Sequence, residues 1–478
     1  MMRLGLIIAA VLGLFAFGVA SGGGPTQNCC THNKNPHRCQ SRRQKLPPKN
    51  VIILIADGAG FNHFKAADYY QCGRVPCQVF ELFPVRLAMS TYPAGGGYDA
   101  NVIWSSFDYV ANNPTDSAAA ATAMATGIKT YNAAIGVDLN GSPVSNLLER
   151  AEQLGKATGV ITSVPFSHAT PAGFVAHNVS RDNYTQIADE MVNKTAADVI
   201  MGCGNPAYNN DGKIKASKNY KYVNAAVWAA LMSGTAGGDA DGDGIPDPWK
   251  VVQTRDEFKA LASGPTPKRV FGVAPALDTL QEYRSGDVFA PPFQVPLTQT
   301  MPALEEMTSA ALNVLDEDPN GFFLMIEGGA VDWAAHENRS GRLIEEMIDF
   351  NKAVVTVLNW VRKNSNWGQT LVIVTADHET GYLTGPGSGQ TPNGPVFNEL
   401  INNADGNLPG MEWHSSGHTN SLVPFFAKGA GSRLFKKTID GNDPVRGPYI
   451  DSTDIANVIF DLWAQKPAPD CCRKFHHN

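Results

Sequence analysis

Three apolar runs in this chain each end at an acid: NVIILIAD at Asp57, GFFLMIEG at Glu327 and TLVIVTAD at Asp377. An acid after a strand commonly caps the next helix. Three of them at one sheet edge repel one another, and cations relieve that repulsion. Other ligand types stand close by. His378 follows Asp377, Asp332 and His336 stand four apart in VDWAAHE, and His418 sits in SGHTNS. A spacing of four puts Asp332 and His336 on one helix face. Mixed Asp and His donors suit zinc, and a set that keeps open positions is catalytic rather than structural.

A second group of residues could handle an anion. PTDSAAAATAMATG, Pro114 to Gly127, begins with Asp116 and Ser117 and continues in small residues. It predicts a helix with a nearly bare first turn, whose free N–H groups and positive dipole end favour an oxyanion or a phosphate. Either Thr115 or Asp116 can cap it. Ser117 is a weak nucleophile unless a base or a metal activates it; no base is evident nearby, whereas metal ligands are abundant. The segment SHATPAGFVAHNVSR adds His168 and Thr170 in a loop after an apolar run, and Arg181, whose planar fork suits phosphate.

These groups need a scaffold. Continuous apolar runs recur at 50–57, 158–163, 198–204, 321–328, 370–377 and 421–429. Such runs fit strands buried on both faces. Helix-like stretches lie between several of them, at Val144 to Leu154, Met301 to Asp316 and Ser340 to Lys363. The alternation predicts an α/β fold, a three-layer α/β/α sandwich with a central, mainly parallel sheet and loop insertions. Ligands then bind beyond the carboxyl ends of the strands. Two long regions break the alternation, 62–112 and 205–300, and are expected to be insertions on one domain spanning 49–478, or one of them a small subdomain on the same core.

The chain has 478 residues, a formal charge of −7 and 43% hydrophobic residues, which argues against a nucleic-acid partner. Residues 1–20 have the pattern of a secretory signal: Arg3, an apolar stretch from Leu4 to Phe17, then Gly18-Val19-Ala20. That stretch is short for a membrane span of about 20 residues. The expectation is export, periplasmic or extracellular, with no span in the mature chain and a Pro-, Lys- and Arg-rich tail over 21–48. Five of eight cysteines lie near the termini, Cys72 and Cys77 are close enough to staple one loop, and Cys203 is expected as a buried thiol.

GGDADGDGIPD holds Asp239, Asp241, Asp243 and Asp247 at the spacing of the first nine positions of a calcium loop. Position twelve is Lys250 rather than Glu, so over 239–250 calcium competes with a solvated acidic turn as the reading.

Six ordered motifs, IADGAG, TDSAAAATAMATG, SHATPAGFVAHNVSR, IEGGAVDWAAH, VTADHETG and SGHTNS, resemble the alkaline phosphatases over nearly all of 50–430. The resemblance implies hydrolysis of phosphate monoesters to alcohol and inorganic phosphate, two zinc ions and one magnesium, and a homodimer. By the same resemblance Ser117 is the nucleophile that becomes phosphoserine, and Arg181 is the phosphate clamp. Asp332, His336 and His418 hold the first zinc; Asp57, Asp377 and His378 hold the second; Asp57, Thr170 and Glu327 hold magnesium. Asp116 orients Arg181. Two positions depart from the best-known bacterial pattern: His168 where some members carry Asp, and Trp333 where others carry Lys or His. His168 then acts through water on magnesium, and Trp333 implies looser phosphate binding. Rival readings are a phosphodiesterase, sulfatase or metal-dependent mutase of the same superfamily, or an exported calcium-dependent binding protein with a degenerate core. A sulfatase needs its C/S-x-P-x-R motif, which Ser117 lacks.

Overall fold

The computed structural model describes residues 47–241 and 243–464. The signal-like segment, residues 21–46 and the terminal cysteines lie outside the described residues. Eleven strands form one sheet: β1 (Asn50–Ala56), β2 (Val85–Ser90), β3 (Ala157–Pro165), β4 (Val199–Cys203), β5 (Lys250–Val252), β6 (Val270–Val273), β7 (Phe322–Gly328), β8 (Thr370–Thr375), β9 (Val423–Gly429), β10 (Gly441–Asp443) and β11 (Gly447–Asp451). Their order is β10-β11-β2-β9-β8-β1-β7-β3-β4-β6-β5. The block from β8 to β5 is parallel throughout, whereas β9 runs antiparallel to both β8 and β2.

The apolar runs explain the middle of this sheet. Every residue of β1, β7 and β8 is buried, as strands covered on both faces must be. The covers are two groups of helices. One comprises α1 (Phe61–Cys72), α7 (Arg255–Leu261), α8 (Leu304–Leu315), α9 (Ala330–His336) and α10 (Ser340–Asn364). The other comprises α2 (Ser117–Thr126), α3 (Leu147–Gln153), α4 (Ala169–Gly173) and α11 (Asp454–Ala464). Helices α5 (Tyr184–Asn193) and α6 (Ala225–Ser233) pack on each other. The expected three-layer architecture is therefore present.

The two long irregular regions are not wholly insertions. The first contributes α1 and β2, and β2 lies inside the sheet between β11 and β9. The second contributes β5 and β6, which extend the parallel block to its edge. β5 is only three residues long, and β2 carries the exposed Arg86, so neither forms a continuous apolar run. Cys72 and Cys77 form a disulfide, and Cys203 is a buried free thiol.

Candidate metal centre and nucleophile

Adjacent parallel strands β8, β1, β7 and β3 bring Asp377, Asp57, Glu327 and Thr162 to one edge of the sheet. The turn after β1 needs Gly58: its φ is +73°, and a Cβ there would lie 2.8 Å from Asp332 Cα. That close approach sets the short helix α9 against the end of β1. Asp332 and His336 share one face of α9, as their spacing predicts, and His336 Nε2 lies 3.3 Å from Asp332 Oδ2.

Two ligand clusters result. Donor atoms of Asp332, His336 and His418 converge, as do those of Asp57, Asp377 and His378, each set lying within 4.8 Å. His378 Nε2 is 3.4 Å from both Asp57 Oδ1 and Asp377 Oδ2. The histidines are oriented alike. His336 Nδ1 donates to the Ser416 carbonyl at 2.6 Å and His418 Nδ1 to the Thr115 carbonyl at 2.8 Å. His378 Nδ1 faces the Thr380 hydroxyl at 3.2 Å, and that hydroxyl donates to Asp332 Oδ1 at 2.6 Å. Each ring thus presents Nε2 to the centre, the arrangement by which a protein fixes a metal-ligating histidine.

The donors fit divalent cations. Both carboxylate oxygens of Asp57, one each of Asp377 and Glu327, and the Thr170 hydroxyl are buried without a hydrogen bond. Buried polar atoms rarely stay so. Burial, then the charges of Asp377, Asp332 and Glu327, push Asp57 well above the ordinary carboxylate range. Burial likewise raises Asp377 to about 6 and Glu327 to about 7. Asp332 is buried too, but His336 and His418 hold its pKa well below the usual value. Two histidine Nε2 atoms, of His336 and His418, face each other at 3.0 Å. Cations satisfy these mutually repelling oxygens and paired acceptors together.

Helix α2 aims at this centre. Asp116 is its N-cap, accepting from Ala119 N at 2.9 Å, and Gly127 ends it with φ +75°. All ten residues are buried. Ser117 Oγ lies 3.2 Å from His378 Nε2, on the first turn of the helix. The other oxygen of Asp116 takes Arg181 Nη1 at 3.0 Å and Ala133 N at 3.0 Å, which holds the guanidinium over the helix mouth. Arg181 Nη2 is 3.4 Å from His168 Nε2. Burial, then the charges of Arg181 and Lys221, lower His168 to about 3, so the ring is neutral. The expected loop around His168 and Thr170 is in part the short helix α4, with His168 at its N-cap position.

A pocket of about 560 Å³ opens above these groups, lined by Ser117, His168, Arg181, Asp332, Trp333, His336 and His418. Lys221, Asp278, Tyr283 and Glu337 also line it. Sequence reasoning missed these four: each is an ordinary polar residue in a loop or beyond a helix end, with no spacing to mark it. A separate cavity of about 300 Å³, walled in part by Trp104 and Phe397, contains none of the expected ligands. Other missed groups are supports. Thr162 Oγ1 donates to Glu327 Oε2, and Ser163 Oγ accepts from Gly329 N and Ala330 N. Trp333 stands edge-on to His168 and tilted against Tyr283, with ring centroids 5.4 and 5.3 Å apart.

A sequence model of the family described as "Alkaline phosphatase" matches residues 48–408. This chain belongs to the alkaline phosphatase family. It is 29% identical to Alkaline phosphatase 4 of Bacillus subtilis, over 88% of this chain and 90% of that protein. It is 32% identical to Alkaline phosphatase 3 of the same organism, over 79% and 69%. Among solved structures, the alkaline phosphatase of the Antarctic bacterium TAB5 has a TM-score of 0.58 and 26% identity, covering 89% of this chain and all of that one. The Thermus thermophilus enzyme, at 21% identity, shares the fold with a TM-score of 0.60 over 92% and 97%.

The acidic loop is a separate cluster. Donor atoms of Asp239, Asp241 and Asp247 come together, while Asp243 Oδ1 turns to Ile245 N at 2.8 Å. Lys268 Nζ sits 2.7 Å from Asp241 Oδ2 and 3.1 Å from Asp247 Oδ1. An ammonium therefore already meets two of the expected calcium ligands, and Lys250 opens β5 instead of closing the loop.

Proposed function

We propose that this protein is an alkaline phosphatase that hydrolyses phosphate monoesters through a phosphoserine at Ser117. The observation that carries the reading is the placement of Ser117 Oγ on the first turn of α2, 3.2 Å from His378 of one carboxylate–imidazole cluster and lining the same pocket as the other. Asp332, His336 and His418 would hold one zinc; Asp57, Asp377 and His378 a second; Asp57, Thr170 and Glu327 a magnesium. When bound, such cations polarise the phosphoryl oxygens and stabilise the attacking and leaving oxygens of an in-line displacement.

The chain's own groups do the rest. Ser117 attacks phosphorus and the alcohol departs; water then cleaves the Ser–O–P ester, releasing inorganic phosphate and restoring the hydroxyl. Free N–H groups at the start of α2 face the non-bridging oxygens. Arg181, held by Asp116, offers its fork to the same oxygens. Buried and neutral, His168 keeps a hydrogen-bonding ring beside Arg181 without adding charge. Trp333 presents an aromatic face where a cation would bind phosphate more tightly, so Trp333→Lys is expected to lower the inhibition constant for phosphate. Export to an oxidising compartment agrees with residues 1–20 and with the Cys72–Cys77 disulfide. Among the described residues no helix is long and apolar enough to cross a membrane. A homodimer is the assembly this reading takes, and the mass of the protein in solution tests it.

The test is metal content together with release of p-nitrophenol from its phosphate, bis-phosphate and sulfate esters, with and without chelator. The expected result is two zinc and one magnesium per chain, with chelator-sensitive turnover of the monoester far above the other two. Preference for the diester or the sulfate ester would overturn the reading.

A further inference from the structure

The active-site pocket has a floor and a mouth. Ser117 is 1% exposed, the Arg181 side chain 17% and the Lys221 side chain 51%. Arg181 lies close to the nucleophile, whereas Lys221 stands at the rim of the same pocket. We propose that Lys221 forms a second anion subsite there, and that the preferred substrates are phosphate monoesters whose alcohol carries another negative group, a carboxylate or a second phosphate. The proposal rests on the phosphomonoesterase reading above.

Lys221 is mounted rather than loose. Its ammonium lies over the Tyr222 ring at 4.6 Å, and Tyr222 is 1% exposed. Tyr222 is fixed on three sides. Its hydroxyl donates to Asp278 Oδ1 at 2.7 Å, its carbonyl accepts from Ser167 Oγ at 2.8 Å, and its ring packs edge-on against Tyr184. Ser167 precedes His168, so the segment that carries Lys221 is latched to the wall beside Arg181.

The ammonium is also incompletely neutralised. Its ion pair is with Asp278 Oδ1 at 3.9 Å, beyond hydrogen-bond reach. Asp278 spends its oxygens on Tyr222 and on Asn210 Nδ2 at 3.0 Å. Glu337, the other acid at the rim, lies 3.7 Å from Arg339 Nη2. A substrate anion therefore meets an ammonium with donors to spare. Trp333 and Tyr283 line the same pocket with aromatic rings, and Arg339, 5.6 Å over the Tyr283 ring, is paired with Glu282 at 2.9 Å. A single anionic phosphate at Ser117 uses Arg181 and the helix mouth, which leaves Lys221 for a group on the leaving alcohol. Truncating Lys221 should then affect substrates according to what that alcohol carries.

The experiment compares kcat/KM for glycerol 2-phosphate and 2-phosphoglycerate, which differ by a carboxylate, with p-nitrophenyl phosphate as the reference ester. The metal-loaded wild type, Lys221→Met, Lys221→Arg and Asp278→Asn are assayed at two ionic strengths. The wild-type ratio of phosphoglycerate to glycerol phosphate should fall roughly tenfold in Lys221→Met, the scale of one charge pair. It should be kept by Lys221→Arg and raised by Asp278→Asn, and salt should lower it in the wild type and in both of these variants but not in Lys221→Met. An unchanged ratio in Lys221→Met, or an equal fall for all three esters, overturns the subsite. Failure of the wild type to cleave p-nitrophenyl phosphate overturns the phosphomonoesterase reading itself and the subsite with it.

Discussion

One hydroxyl joins the two ligand clusters: Thr380 Oγ1 donates to Asp332 Oδ1 and faces His378 Nδ1. Removing such an outer partner commonly costs about 10–100-fold in metal affinity. Thr380→Val should therefore weaken zinc binding on that scale in a chelator competition; unchanged affinity would mean that the hydroxyl merely packs. Asp116 offers a second test. Asn at this position keeps the cap on α2 but loses the charge that holds Arg181. Asp116→Asn should lower kcat/KM about tenfold, chiefly through KM, if Arg181 is the proposed clamp on the phosphoryl oxygens. At this scale the sequence was informative where chemistry imposes spacing. Acids at strand ends, an i,i+4 Asp–His pair and an Asp-Ser helix start all stand out. Thr162, Ser163 and Thr380 did not, because a supporting hydroxyl has no composition or period of its own.

Helix α2 is wholly buried because its neighbours come very close. A Cβ added at Gly173 of α4 would lie 2.7 Å from Ala121 Cβ. The alanines are thus a packing requirement, as well as leaving the helix mouth bare for a phosphate. Ala121→Leu should destabilise the fold by about 1–3 kcal/mol, the usual cost of overpacking, and disturb Ser117 about one turn away on the same helix. Denaturant unfolding and kcat together check this; a neutral substitution would show that α4 can yield. The buried parallel strands were legible because both faces are covered and their runs are continuous. β2, β5 and β6 were not, since an exposed Arg86 interrupts the first and the other two are only three and four residues long.

Across the whole molecule, titration sets a limit on stability away from the centre. Asp68, 1% exposed, is raised to about 8 by burial and then by its neighbour Glu81. A carboxyl whose folded pKa lies above its unfolded one contributes stability below the unfolded value, and that contribution is lost as pH rises through the folded one. The wild type should therefore lose thermal stability as pH passes from the ordinary carboxylate range through about 8. Asp68→Asn, which removes the titration but keeps only one of the two acceptors used by Cys77 N and Gln78 Nε2, should show a shallower decline. Parallel slopes in the two proteins would assign the decline to other groups. The sheet and its two helical layers could be anticipated from alternation alone. The rim of the pocket could not, because Lys221, Asp278 and Tyr283 all come from the irregular region 205–300 with no spacing to mark them, and only folding brings them to the mouth.

The central claim is a nucleophilic Ser117 activated within a metal centre. Acid quenching during turnover, followed by peptide mapping of the covalent phosphate, tests it most directly. The account predicts one phosphoryl group on Ser117, absent from Ser117→Ala and absent after the metals are removed by chelation. Full turnover with no phosphoryl enzyme, or a phosphoryl group on another residue, would contradict it.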